Sequence, residues 1–345
     1  MSIDAGRPVS AGGLELVAAR RLIVDAPVLR LPLSPGDRAL VIDGDVVAAG
    51  TTLARRYRDV RVESFPRPEG ALRASPSAGG WWPGTESTRG RARGRRGTPP
   101  GEVLYDVADR WHLAVGEHEE ALDAPADGVV EEVRPGTGIA LRIAGAGIPG
   151  VAAVGGPSRG RLVTFPADGD LRTGALDVGM AGAIVVVGAR VDAETLTRCR
   201  ATGMRGVVAA NLSDKERRDF LASEARQRAG YHGIAPFAVL ILDGAVRRPI
   251  ASPVRALLSG IDGREVAIVV DPSMLIFDPT GIERPETAPG LVRIRSGPAA
   301  GREGTWVASL GIRRFRAGVR LRAGLVRLDD GSEVAVPLAD LERYV

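Results

Sequence analysis

From Val292 to Val307 the chain reads Val-Arg-Ile-Arg-Ser-Gly-Pro-Ala-Ala-Gly-Arg-Glu-Gly-Thr-Trp-Val, and few structures accommodate that order. The alternating apolar and basic residues at its start describe a short strand. Gly297-Pro298 turns the chain and Gly301 turns it again. Gly304 then lets the backbone kink as a second strand begins. Each of these glycines supplies backbone angles or a close approach that a side chain resists. The segment must therefore double back on itself, which a helix or an open linker cannot do.

The pattern continues to the C-terminus. Gly318–Leu325, Val326–Leu328 and Glu333–Val336 are strand candidates, and Asp329-Asp-Gly-Ser332 is a hairpin turn between alternating runs. Pro337-Leu-Ala-Asp-Leu-Glu then reads as a short turn of helix and a last strand. This stretch resembles the KOW motif of the small SH3-like barrels in NusG/Spt5-type transcription factors and some ribosomal proteins. The resemblance implies an SH3-like barrel over residues 286–345, with a loop that touches RNA, a ribosomal protein or a polymerase. Those motifs often carry an aromatic after Gly-Pro, whereas this chain has Ala299. Arg293, Arg295, Arg302, Arg313, Arg314, Arg316, Arg320, Arg322 and Arg327 decorate the segment, and acidic residues are few before Asp329. Arg293, Arg295, Arg302, Arg313, Arg314 and Arg316 are the candidates for phosphate contact, and Trp306 and Phe315 for stacking on bases.

Charge supports clustering rather than a general field. The 345 residues carry 46 basic and 42 acidic groups, a net charge of +4, so affinity for a polyanion must come from local concentration. Lys215 is the only lysine; every other basic residue is arginine, whose fork holds phosphate bidentately. A second concentration lies at Arg89, Arg91, Arg93, Arg95 and Arg96, inside a Ser/Gly/Pro/Arg-rich stretch over 76–101 that opens near Trp81 and Trp82. That composition predicts a disordered insertion, and it is similar to RGG-type segments that bind RNA flexibly.

Upstream, Leu33-Ser-Pro-Gly-Asp through Ala54, and Leu122-Asp-Ala-Pro-Ala-Asp-Gly-Val-Val through Arg142, resemble the two halves of a barrel-sandwich hybrid, the fold of lipoyl and biotinyl carriers. Carriers need a hairpin lysine for their prosthetic group. Neither half contains one, so the resemblance implies a scaffold or docking module over residues 1–172 and no cofactor.

Residues 173–285 change period. Continuous apolar runs at Ala183–Gly188, Arg205–Ala210, Phe237–Leu242 and Glu265–Val270 alternate with helical segments, which predicts a small parallel α/β layer. Asp192 is the expected N-cap of a helix over 191–202, and Gly203 its C-cap. Ser213 and Glu216 have capping-box spacing for a second helix ending at Gly230. A third helix is expected over 252–259. In parallel sheets ligands sit at the carboxyl ends of the strands, which here carry Asn211, Asp243 and Asp271.

Enzyme chemistry finds little support. Walker A, HExxH and GxSxG patterns do not occur. Gly145-Ala-Gly-Ile-Pro-Gly150 matches GxGxxG in letters, but the residues after it cannot open a helix, so it reads as a glycine-rich loop. His112 and His118 sit among glutamates and read as polar surface. Cys199 stands alone, which excludes an intrachain disulfide and a cysteine zinc site. No metal, cofactor or catalytic residue is expected. The N-terminus lacks a secretory pattern, and the longest apolar run, Ala181–Gly188, is too short to cross a bilayer, so a cytoplasmic protein without membrane contact is expected.

The expectation is a mainly β, multidomain chain in three parts, 1–172, 173–285 and 286–345. It binds RNA or a ribonucleoprotein, such as the ribosome or RNA polymerase, without being an enzyme. Two alternatives remain open: a small-ligand-binding protein or enzyme centred on Asn211, Asp243 and Asp271, and a protein–protein adaptor.

Overall fold

A computed structural model describes residues 12–58, 61–67, 80–82, 101–115, 118–165, 178–188, 191–230 and 235–345. The fold is mainly β, with 26 strands, β1–β26 in chain order, and three α-helices among the described residues. The chain forms two compact units: Met1–Pro27, Ile143–Arg217 and Phe237–Val345 make the first, and Val28–Arg142 and Arg218–Pro236 the second. This division differs from the three-part expectation. Strands downstream of Ile143 join the α/β sheet rather than the N-terminal β module, and the C-terminal strands share a unit with that sheet.

The first unit contains a nine-stranded sheet. Its centre is parallel: β16 (Ser158–Thr164), β17 (Ala183–Val187), β18 (Gly206–Ala209) and β19 (Ala238–Ile241) lie side by side. Every side chain of β17, β18 and β19 is buried, as continuous apolar runs require. Burying each of Ile184, Val185 and Val187 contributes about 1.5–3 kcal/mol. Helix α1 (Ala193–Ala201) connects β17 to β18, α2 (Asp214–Gly230) connects β18 to β19, and α3 (Ser252–Gly260) follows β19. The Asp192 side chain accepts from the Thr195 N–H at 2.7 Å, and Gly203 adopts φ +82°, so both predicted caps of α1 form. The Ser213 hydroxyl accepts from the Glu216 N–H, while the Glu216 carboxylate accepts from the Ala193 N–H at 2.8 Å.

Antiparallel strands extend the layer on both sides. β15 (Ala152–Gly155) pairs with β19, and β20 (Glu265–Val269) pairs with β16. β21 (Met274–Phe277), β14 (Ala146–Pro149) and β2 (Val24–Asp25) continue from β20. The fourth predicted strand is therefore present but antiparallel. The expected glycine-rich loop at 145–150 is instead strand β14. Its glycines allow close strand approach: a Cβ on Gly145 would lie 2.9 Å from the Phe277 carbonyl oxygen, and one on Gly150 2.6 Å from Leu240.

The same unit holds a six-stranded sheet in the order β1 (Ala18–Arg20), β26 (Leu341–Tyr344), β22 (Leu291–Ile294), β23 (Glu303–Arg314), β24 (Arg320–Leu328), β25 (Glu333–Pro337). β1 runs parallel to β26, and the other pairs are antiparallel. Val17, Val292, Ile294, Trp306, Val326, Leu328, Val336 and Leu341 form its core. Gly297 and Gly301 take φ +86° and +88°, the left-handed values that the two turns demand. α3 has no side-chain N-cap of its own; Glu303 at the start of β23 accepts from the Ser252 N–H at 2.8 Å instead.

The second unit is built from three sheets. β3 (Val28–Pro32), β13 (Gly138–Ile143), β12 (Gly128–Arg134) and β5 (Val46–Val47) form one, and β11 (His118–Asp123), β6 (Thr52–Arg58) and β4 (Arg38–Ala39) another. β7 (Arg61–Pro66), β10 (Arg110–Val115), β9 (Gly101–Val107) and β8 (Gly80–Trp82) form the third. Leu29, Leu31, Leu53, Leu113, Ile139 and Leu141 are fully or nearly fully buried. β8 lies inside the stretch read from composition as a disordered insertion, so Gly80–Trp82 depart from that expectation. Gly101 opens β9, and residues 76–79 and 83–100, including Arg89, Arg91, Arg93, Arg95 and Arg96, lie outside the described residues. No helix among the described residues is long and apolar enough to cross a membrane.

Candidate nucleic-acid interface

The arginines of the C-terminal sheet divide into two populations. The first is buried at its base. Arg293 on β22 is 1% exposed, and its Nη1 lies 3.0 Å from Asp243 Oδ2 and 3.2 Å from Glu342 Oε1. Arg20 on β1 approaches the same carboxylates, at 2.7 Å from Asp243 Oδ1 and 3.9 Å from Glu342 Oε2, and its guanidinium lies 5.7 Å from the Tyr344 ring centre. Arg248 donates to the Asp243 backbone carbonyl, and to the Arg295 carbonyl at 2.9 Å. Burial opposes the charge on Arg293. Asp243, Tyr344 and Glu342 together outweigh that cost, so its pKa stands above the ordinary arginine value. Arg248 falls below the ordinary value because burial dominates there.

This arrangement corrects two expectations. Arg293 cannot reach a phosphate, because its charge is spent on Asp243 and Glu342 inside the fold. Trp306, at 9% exposure, is core rather than a base-stacking surface. Its ring lies so close to β24 that a Cβ on Gly324 would sit 2.0 Å from Trp306 Cζ3. Arg295 and Arg302 are half exposed but engaged: Arg295 Nε lies 3.7 Å from Glu342, and Arg302 Nη2 2.6 Å from Asp330.

Two of the three residues of the ligand-site alternative are engaged inside the fold. Asn211 is buried and donates to the Arg248 carbonyl at 3.0 Å, and Asp243 belongs to the ion cluster. Asp271 is exposed beyond β20. A cleft of about 370 Å³ does open at the carboxyl ends of β16 and β17, but Thr164, Phe165, Val186, Ile250, Arg255 and Leu258 line it, and none of the three does. No group of three or more His, Cys, Asp or Glu is placed to hold a metal among the described residues.

The second population occupies the far end of the β23–β24 hairpin. From Gly304 to Leu328 the chain has six arginines and no carboxylate. The pairing slips at Trp306/Ala308 and again at Ser309/Gly311, so β23 carries two bulges, and Gly311 takes φ +66°. Bulges bend a strand and increase its twist. Beyond them the register is regular: Ile312 faces Arg322, Arg313 faces Leu321 and Arg314 faces Arg320. The Phe315 N–H donates to the Val319 carbonyl at 2.9 Å, and the Gly318 N–H to the Phe315 carbonyl at 2.8 Å. Gly318, at φ +80°, supplies the left-handed residue that this tight loop needs.

Cross-strand partners share a face, and alternate residues along a strand share it too. One face of the hairpin end therefore carries Ile312, Arg314, Arg320 and Arg322, and the other Arg313, Phe315, Val319 and Leu321. Ile312, Val319 and Leu321 are 61%, 49% and 39% exposed. Arg314, Arg316, Arg320 and Arg322 are exposed and form no ion pair among the described residues. Arg314 and Arg320 are direct cross-strand partners, a like-charge pairing that costs stability unless something neutralises it. Arg313, Arg314, Phe315 and Arg316 all lie at the hairpin end, with Arg313 and Phe315 on the face opposite Arg314. Arg320 and Arg322 complete the face of Arg314, placed there by the tight loop, from which the register runs unbroken back to Gly311.

No protein-family model matches the chain, and no curated protein matches it in sequence.

Proposed function

We propose that the chain is a non-enzymatic nucleic-acid-binding protein that works with the transcription or translation machinery. The β23–β24 hairpin is its contact surface. One observation carries this reading: Arg314, Arg316, Arg320 and Arg322 are exposed, lie together and have no carboxylate partner among the described residues, while Arg20, Arg293, Arg295, Arg302 and Arg327 each have a carboxylate in reach. Guanidinium groups left unpaired at one end of a sheet are suited to phosphate. The KOW-like reading of residues 286–345 agrees with this assignment. Turns at Gly297 and Gly301, a long bent β23–β24 hairpin and a final 3-10 turn at Leu338–Asp340 before the last strand support an SH3-like barrel.

The second unit serves as a scaffold or docking module in this reading. Its two resembling halves pair directly, Val46 and Val47 with Val129 and Gly128, and Thr52 and Ala54 with Asp123 and Leu122. That pairing supports the barrel-sandwich reading, and with no lysine in either half there is no carrier chemistry to assign.

The test is a salt series with the full chain against a mixed pool of sheared duplex DNA and total RNA. Binding should fall steeply with salt as counterions are released. Replacing Arg314, Arg316 and Arg320 with Gln should flatten the slope of log K against log salt by about two to three, roughly 0.7–0.9 per lost phosphate contact. No binding at low salt, or an unchanged slope in the triple variant, would reject the assignment.

A further inference from the structure

Resting on that reading, we infer that the preferred nucleic acid is duplex DNA, entered through its major groove by the end of the β23–β24 hairpin. Three features select it. The first is that both faces of the hairpin end are accessible. Ile312, Arg314, Arg320 and Arg322 are exposed on one side, and Val319 and Leu321 on the other. A ribbon that only covered a core would hide one face; here each face keeps exposed side chains, with Arg313 and Phe315 half-buried beside Val319 and Leu321.

The second feature is size. Two strands lie about 4.8 Å apart, and with their side chains the ribbon is on the order of 10 Å across. The B-form major groove is about 12 Å wide and admits a two-stranded ribbon, whereas the minor groove, at about 6 Å, does not. Five cross-strand levels, Gly311–Ala323, Ile312–Arg322, Arg313–Leu321, Arg314–Arg320 and Phe315–Val319, lie beyond the second bulge. At about 3.3 Å per residue they extend roughly 13 Å, more than the groove's depth of about 8.5 Å. A-form RNA presents a deep, narrow major groove that side chains cannot read.

The third feature is the shortage of aromatic rings. Single strands are held by bases stacked on aromatic side chains. Trp306 is in the core, and Phe315 is the one ring at the hairpin end, half buried. What that end offers is guanidinium forks, which pair with the N7 and O6 acceptors of guanine in the major groove, and an exposed Ile312 suited to the thymine methyl. Arg322, beside Ile312, makes the base-edge contact, and Arg314, Arg316 and Arg320 meet phosphate. An anion between Arg314 and Arg320 also relieves their cross-strand repulsion.

Fluorescence anisotropy of the full chain decides it, using a 24-base-pair G·C-containing DNA duplex, the same sequence as duplex RNA, each single strand, and the DNA duplex with 7-deazaguanine for guanine. The DNA duplex should bind at least about ten-fold more tightly than the RNA duplex or either single strand. Loss of guanine N7 should weaken it about five- to hundred-fold, the discrimination typical of a bidentate contact. Arg322→Lys, which keeps the charge and loses the fork, should bind unmodified DNA more weakly and show a smaller 7-deaza effect. RNA or a single strand binding as tightly as duplex DNA overturns this inference and leaves nucleic-acid binding standing, as does indifference to 7-deazaguanine. Failure of all five probes overturns both.

Discussion

Arg293 and Arg320 belong to the same sheet and differ in almost every other respect. Arg293 is sealed under β22 with two carboxylates in reach; Arg320 stands in solvent opposite another arginine with none. Residue type therefore does not determine what an arginine does here. The supply of carboxylates does. Asp243 and Glu342 converge at the base, and Asp330 and Glu333 hold Arg302 and Arg327 at the rim. Between Gly304 and Leu328 the supply ends, and the positive charge of Arg314, Arg316, Arg320 and Arg322 stays unpaired. A buried ion cluster ties β1, β22 and β26 to the loop after β19, so fixing the sheet and presenting the hairpin are separable tasks.

The strongest way to break this comparison is Arg293→Met. It leaves Asp243 and Glu342 buried with less compensation, a change that typically costs about 3–5 kcal/mol. The midpoint of urea unfolding should drop accordingly. Arg320→Gln, by contrast, should stay within about 0.5 kcal/mol of the parent, as surface substitutions do. If the two variants unfold at the same urea concentration, the division into structural and presented arginines is wrong.

A second substitution separates packing from charge. In Gly324→Ala the new methyl would meet the buried Trp306 ring at 2.0 Å, and the ring is held within the core formed by Val292, Val326 and Leu328. Overpacking of this kind costs about 1–3 kcal/mol. The loss should appear in unfolding curves and in the fluorescence of Trp306, and nucleic-acid affinity of the folded fraction should be kept. A variant as stable as the parent would show that the ring has room to move.

Local signals were legible in the sequence and long-range ones were not. Asp192, Gly203 and the buried runs of β17–β19 mark their elements through neighbours a few residues away, and each appears within a residue or two of its expected place. The direction of β20 was not legible, because a continuous apolar run is the same in a parallel and an antiparallel neighbour. The ion cluster was equally hidden. Arg20, Asp243, Arg293 and Glu342 are separated by tens to hundreds of residues, so a carboxylate at a strand end read as a ligand group when its partners were buried arginines from other strands. In the hairpin, the absence of acidic residues between Gly304 and Leu328 was visible. The two bulges that bend β23 below the hairpin end were not, since only Gly311 hints at them.

The smallest effect belongs to Tyr344, which sits against the buried cluster and contributes nothing to the pH dependence near neutrality. Burial pushes its hydroxyl up to about 12 from the ordinary 10.0, with Arg20 opposing the shift and Glu342 and Asp243 adding to it. The unfolded chain would release this proton near pH 10 while the native chain keeps it until about 12, so stability should fall as pH rises across that window and be unaffected below it. A phenolate absorbance titration of the parent minus Tyr344→Phe isolates the group. Titration near 10 would mean that the ring is wetter than its 7% exposure implies, and that the cluster beneath the sheet is open to water. The hairpin arginines provide the matching control. Because they are solvated already, removing Arg314, Arg320 and Arg322 should leave the Tyr344 titration where it is, whereas Arg20→Met, by deleting the opposing cation, should move it higher still.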